Sequence, residues 1–320
     1  MGHELTWGMP VILYLYLAGV GAGAVTVSAS VLLRGGGGGF GGGHFTLARY
    51  GALIGPLPVM FGTALIVFEL GRPFRALNLF KVINLSPMNI GSWLLLVFIL
   101  VSTVYALAFL PTLLPKLERL GERLALLRTA LAWICVPLGI SVAVYTGVML
   151  GAMPSRPLWN SPILALLFLV SALSTGVAVL ILARALFHKK GADADAEHQY
   201  HQGAYLLTAS DVVLIGFELL VIFLLLMFAH LTIGAPKYAI SVILPGGELA
   251  QAFWLWVVAL GLVIPGLVEL IYVAPKLLYH RNFAAPKSVE IAVSIAVLIG
   301  GFMLRYVIVV AGQITGPVGL

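Results

Sequence analysis

The sequence predicts an all-α polytopic membrane protein, a bundle of about eight transmembrane helices with both termini on the outer, periplasmic side. Three observations predict it. Of 320 residues, 61% are hydrophobic and only 9% are charged, with a mean hydropathy of +1.08; a soluble surface of this size needs far more polar side chains. Apolar runs of twenty or more residues recur along the chain, each long enough to cross roughly 30 Å of hydrocarbon as a helix. The cations between the runs are also divided unevenly, as the topology of a membrane protein requires.

The runs fall at about 10–33, 47–70, 91–111, 130–151, 162–187, 206–231, 252–276 and 288–312, and residues 1–320 read as one integral membrane domain. The odd-numbered loops hold twelve of the eighteen Lys and Arg, the even-numbered loops five, and Arg305 lies inside the last run. The positive-inside rule then places the odd loops in the cytoplasm. The termini and the loops carrying "GRPFR" and "SRPLWN" face outward, in agreement with an even number of spans. The net charge of +6 marks this topology and gives no sign of nucleic-acid binding.

The connections carry less information. "RGGGGGFGGGH" (34–44) reads as a flexible linker without phosphate chemistry. "PKLERLGERLALLR" (115–128) has the spacing and mixed charge of a short interfacial helix. "HKKGADADAEHQYHQ" (188–202) reads as an exposed polar loop, its His198 and His201 solvated rather than metal-bound. The opening "MGHELTWGMP" lacks a basic segment, so the first run is expected to be retained as a helix. "GVGAGA" has the wrong spacing for a dinucleotide fingerprint. Gly19 with Gly23, and Ala18 with Ala22, instead provide the four-residue spacing of small residues that lets helices approach closely.

One cysteine, Cys135, excludes an internal disulfide and a cysteine-ligated iron–sulfur cluster. Of seven histidines only His230 falls within a run, near its end, so no buried pair is available for haem b. Any electrons must therefore arrive from a partner. The ionisable groups inside the runs are Glu69, Asp211, Glu218, Glu269 and Arg305. Each is costly in a bilayer and is therefore a functional candidate. Asp211 and Glu218, seven residues apart, share one helix face. Two readings stay open: Arg305 neutralises one carboxylate while the rest sit at helix ends, or the set forms a graded path for protons or ions.

A second cluster gathers on the assigned outer side: Trp7, Tyr14, Tyr16, Glu69 with "GRPFR", "SPMNIGSW" (86–93) and "YTGVMLGAMPSRPLWNSP" (145–162). Taken singly, Trp7, Trp93 and Trp159 are ordinary anchors at the membrane surface. Together, aromatic rings with hydroxyl, carboxylate and amide groups suit an amphipathic ring whose carbonyls need hydrogen bonds. A quinone meets that description.

At these residues the sequence resembles the NrfD/PsrC family, the membrane subunits of polysulfide-reductase-type complexes. The motifs "WGMPVILYLYLAGVGAG", "ELGRPFRALNLF…SPMNIGSW", "YTGVMLGAMPSRPLWNSP…LFLVSALSTG" and "GGFMLRYVIVVAGQ" carry the resemblance from the first span to the last. It implies an eight-helix subunit of a respiratory oxidoreductase in a bacterial or archaeal cytoplasmic membrane, with a quinone site, menaquinone in particular, near the outer face. It also implies an extrinsic iron–sulfur subunit with four clusters and a molybdopterin or other catalytic subunit. The quinone-site tyrosine of the family corresponds to Tyr145. Where the family's first span has a histidine and an asparagine at the quinone, this sequence has Tyr14 and Val11.

The expected roles follow. Tyr145, Tyr14 and Glu69 take part in quinone chemistry; Trp7, Tyr14, Tyr145, Arg72 and Arg75 bind the ring; Arg156, Trp159 and Asn160 face the partner. Arg305, Glu218, Asp211 and Glu269 form a path for protons towards the cytoplasm. The competing readings are an ion or solute transporter, with Pro137 and Pro265 kinking spans 4 and 7, and a passive anchor for soluble redox subunits.

Overall fold

A computed structural model describes residues 7–36, 44–69, 78–81, 84, 86–113, 118–187, 194–279, 283 and 285–316. The protein forms α1 (Met9–Arg34), α2 (Phe45–Ile54), α3 (Pro56–Glu69), α4 (Asn78–Lys81), α5 (Pro87–Phe109), α6 (Glu118–Arg123), α7 (Ala125–Gly151), α8 (Pro162–Phe187), α9 (Ala194–Leu231), α10 (Ala235–Ser241), α11 (Ile264–Tyr279) and α12 (Lys287–Ile314). No strand is present among the described residues. Among the described residues, eight stretches are long and apolar enough to cross a membrane: Met9–Arg34, Phe45–Phe68, Pro87–Leu113, Ala125–Gly151, Pro162–Phe187, Gln202–Leu231, Ala252–Tyr279 and Lys287–Ile314. The all-helical, eight-span fold is therefore the one the apolar runs predict.

Local chemistry sets several boundaries. In "SPMN", the Ser86 hydroxyl accepts from the Asn89 N–H at 3.3 Å and Pro87 fills the first helical position, a well-capped start for α5. α2 and α3 meet at Gly55–Pro56, where proline supplies no N–H to continue the ladder, yet together they form one span. Residues 252–263, ahead of Pro265, wind as a π-helix, and the Ile264 N–H donates to the Ala259 carbonyl five residues back. Proline cannot make the usual four-residue bond, and wider winding accommodates it. Pro137 lies within α7, which continues through it.

Two connections differ from the sequence expectation. The second half of the 188–202 stretch is not a loop: α9 begins at Ala194 and runs for 38 residues. Hydropathy reports where a helix leaves the membrane, but Ala, Glu and Gln readily extend a helix that an apolar span has already nucleated. α6 ends at Arg123, before the expected helix does, and "ALLR" (125–128) forms the first turn of α7.

The core lies along α1, α8 and α12, whose apolar windows are 72%, 67% and 61% buried, against 33–44% for the other spans. Their outward faces need not be polar, because the lipid around them is itself apolar. α1 is hemmed in on all sides and packs against α3, α7 and α8. A side chain on Gly23 would run into the backbone of Ala172, and one on Gly176 into the backbone of Gly23. Small residues therefore set how closely α1 and α8 approach.

Candidate functional site

Helix α8 has two ends that the rest of the bundle treats differently. At the Trp159 end, just before α8, a lock of hydrogen bonds ties the entrance of α1, the 152–161 turn and the exit of α12. The Trp7 N–H donates to Gln313 Oε1 at 2.8 Å, and Gln313 Nε2 donates back to the Trp7 carbonyl at 3.1 Å. The Trp159 indole donates to the Ile308 carbonyl at 2.8 Å and stacks on Trp7 with ring centres 5.2 Å apart. The Arg156 Nη1 donates to the Gln313 carbonyl at 2.6 Å, so its charge faces the last carbonyls of a helix, where cations are favoured.

Tyr14 from α1 and Tyr145 from α7 lie below this lock, at 5% and 8% exposure, near enough to influence one another. Among the described residues the Tyr145 hydroxyl reaches only the Met149 sulfur, at 3.4 Å, a weak acceptor. Its ring lies against the bare backbone of Gly91; any side chain there would occupy the ring's place. "SPMNIGSW" thus meets "YTG" through Gly91, with Asn89 buried nearby along α5. Among the described residues the site is buried and aromatic, with a phenol whose best hydrogen bond is unspent.

The expected site residues divide accordingly. Trp7, Tyr14, Tyr145, Arg156 and Trp159 gather at this end. Trp159 differs from a surface anchor, because its side chain is 1% exposed and its indole N–H is satisfied inside the bundle. Sequence gives a residue's depth along a helix but not the direction it faces. The Asn160 side chain is exposed. Arg72 and Arg75, and the side chain of Glu69 at the end of α3, lie outside the described residues.

The interior towards the other end is charged. Arg305, on α12, donates to Ser171 Oγ, to the Gly301 carbonyl at 3.0 Å and to the Phe168 carbonyl at 3.4 Å. Ser171 also hydrogen-bonds Glu218, which lies in the field of Arg305. One turn further along α8, Ser174 Oγ donates to Asp211 Oδ1 at 2.8 Å. The Asp211 carboxyl meets that of Glu269 on α11. Arg305, Glu218, Asp211 and Glu269 are each at most 4% exposed. Helices α9, α11 and α12 therefore bury the four expected path residues along one side of α8, where Ser171 joins Arg305 to Glu218 and Ser174 holds Asp211. Among the described residues, no three of His, Cys, Asp and Glu converge as metal ligands would.

Three further charged groups are buried that the sequence reading did not count among the ionisable groups of the spans. Arg128 is sealed between the Phe45 and Phe109 rings and donates to the Ala108 carbonyl at 3.1 Å. Arg184 and Glu290 form an ion pair at 2.5 Å between α8 and α12. They lie in the terminal turns of their helices, where a hydropathy window blurs the boundary between span and loop. The four-residue spacing of Arg184 with Leu180 on an apolar face was the available signal.

The family described as "Polysulphide reductase, NrfD" matches residues 1–317. The chain belongs to the NrfD family. Its relatives include an NrfD homolog of Haemophilus influenzae, 30% identical over 281 residues that cover 84% of this chain and 83% of that protein. NrfD of Escherichia coli is 31% identical over 289 residues, 86% of this chain and 85% of the relative. The C subunit of polysulfide reductase from Wolinella succinogenes is 31% identical over 274 residues, 83% and 82% respectively. As a member of the NrfD family the protein is an integral membrane subunit of a respiratory oxidoreductase complex and works with other subunits. The family match spans both the aromatic end and the charged interior, so neither is an addition to the fold.

Proposed function

We propose that this subunit exchanges two electrons and two protons between a membrane quinone, menaquinone in particular, and an extrinsic iron–sulfur subunit that docks at the Trp159 end. The carrying observation is the buried Tyr145 hydroxyl, which has only a thioether partner within the bundle. A buried phenol left with so weak a partner is suited to bond a carbonyl oxygen supplied from outside the protein. Bound there, the quinone supplies the two-electron chemistry. Tyr145 holds one ring oxygen and orients the ring. Tyr14 closes the neighbouring side, while Trp7 and Trp159, locked by Gln313 and Ile308, keep water out. Glu69, Arg72 and Arg75 are kept as candidate quinone-binding residues on the sequence alone. Asn160, exposed beside the lock, offers the partner a polar contact.

Protons for this exchange pass along Arg305, Glu218, Asp211 and Glu269. Tyr14 and Gly19 are five residues apart on α1, about 7 Å along the axis, and the Arg305 guanidinium lies against Gly19. The aromatic site therefore stands close above the start of the charged series. The Ser171 hydroxyl joins Arg305 to Glu218, the Ser174 hydroxyl holds Asp211, and two carboxyl groups that face one another away from water, as Asp211 and Glu269 do, favour a shared proton. The positive-inside distribution orients the Trp159 end outward and the far end towards the cytoplasm. In the purified complex, Tyr145→Phe is expected to lower turnover of the naphthoquinone 2,3-dimethyl-1,4-naphthoquinone about 100-fold, the scale of lost proton-transfer and orienting contacts. Full activity in that variant refutes the assigned role.

A further inference from the structure

The charged series does not end at Glu269. Beyond it, α8, α9, α11 and α12 enclose a small cavity lined by Thr208, Glu269, Tyr272, Ala285 and Glu290 among others, with room for about one water molecule. Glu269 and Glu290 are 4% and 6% exposed, and one Glu269 carboxyl oxygen has no hydrogen-bond donor within the bundle. Glu290 is held by Arg184 at 2.5 Å, a pair of no net charge that lets a carboxylate stand at this depth. Glu290 lies in the first turn of α12, fifteen residues from Arg305. That interval is about 22 Å along the helix, most of the roughly 30 Å hydrocarbon layer. Thr208 and Tyr272 add two hydroxyls to the same cavity wall.

We infer that Glu290, positioned by Arg184, is the group through which the series exchanges protons with the aqueous phase at the Arg184 end, taking them from or giving them to Glu269 across the cavity they share. The inference rests on the proton path proposed above and extends it to the membrane surface. In one direction a proton leaves the Glu269 carboxyl, a cavity water accepts it and passes another on, and the Glu290 carboxylate takes that one up. No electron moves, and the reverse transfer uses the same groups. Arg184 is a positioning residue, because it reaches Glu269 only through Glu290.

The test uses the intact complex in sealed vesicles, turning over 2,3-dimethyl-1,4-naphthoquinone, with a pH-sensitive dye reporting proton uptake. Glu290→Gln is expected to slow proton uptake at least about tenfold and to raise the D2O effect on turnover above about twofold, while naphthoquinone affinity stays at the wild-type value. Glu290→Asp is expected to restore most of the rate. Ala285→Leu, which fills the cavity and leaves the ion pair intact, is expected to act in the same sense and decides the matter if Glu290→Gln does not assemble. If Glu218→Gln stops proton uptake but Glu290→Gln and Ala285→Leu leave uptake and isotope effect unchanged, Glu290 is only a brace between α8 and α12 and the inference fails. If Glu218→Gln also changes nothing, the path itself is refuted.

Discussion

The two halves of the bundle are both buried and both polar, yet they are built from different chemistry. At the Trp159 end, Arg156 apart, the described polar atoms are neutral indoles, amides, backbone carbonyls and phenols, and hydrogen bonds tie the start of α1, the 152–161 turn and the exit of α12. Towards the Arg184 end they are arginines and carboxyls connected by serine hydroxyls. A neutral dry pocket suits an uncharged ring that must be held by directed hydrogen bonds. A series of ionisable groups, each costly in a bilayer, is retained where charge or protons must cross it. Under the proposed function the contrast separates holding a quinone from supplying its protons, and the two halves meet where Arg305 lies against Gly19.

The comparison can be broken most severely at the backbone contact both halves share. Gly23→Leu drives a side chain into Ala172 and is expected to cost on the order of 3 kcal/mol or more. Recovery of the assembled complex, measured by size exclusion, should fall to near zero. Next, Asp211→Asn removes the pairing with Glu269 but keeps a partner for Ser174. Proton uptake in vesicles should drop roughly tenfold or more while naphthoquinone binding is unchanged, a split that follows only if the two halves have separate duties.

A smaller effect is expected from Trp159→Phe, which removes the indole hydrogen bond to the Ile308 carbonyl. The cost is about 1 kcal/mol, seen as a fall of about 2 °C in the melting temperature. Least of all, Asn160→Ala alters an exposed side chain and should change stability by less than about 0.5 kcal/mol. A measurable loss of affinity for the extrinsic subunit at unchanged stability would place the docking surface at this turn.

Most of the fold was legible because bilayer thickness dictates span length, and apolar runs show it directly. The first run, read as 10–33, is the helix Met9–Arg34, and the last, read as 288–312, is Lys287–Ile314. The start of α9 was not legible, since its polar first turns leave the membrane without ceasing to be helical. The buried ionisable groups were legible because each is costly by itself, as with Asp211, Glu218, Glu269 and Arg305. Residues that matter by facing others were hidden. Ser171 and Ser174 are inconspicuous small residues in an apolar run until Arg305 and Asp211 are set beside them. Gly91 acquires meaning only when the Tyr145 ring lies on it. Arg184 and Glu290, at the edges of their spans, were hidden by their position near the loops.

The central claim, that a neutral pocket around Tyr145 holds the quinone while a separate charged series handles protons, is tested most directly in one pair of variants. Naphthoquinone binding to the purified complex is measured by fluorescence quenching in Tyr145→Phe and Glu218→Gln side by side. The account predicts weaker binding in Tyr145→Phe, by roughly tenfold for one lost hydrogen bond, and wild-type binding in Glu218→Gln. Equal affinity in both variants and the wild type, or a loss confined to Glu218→Gln, would contradict it.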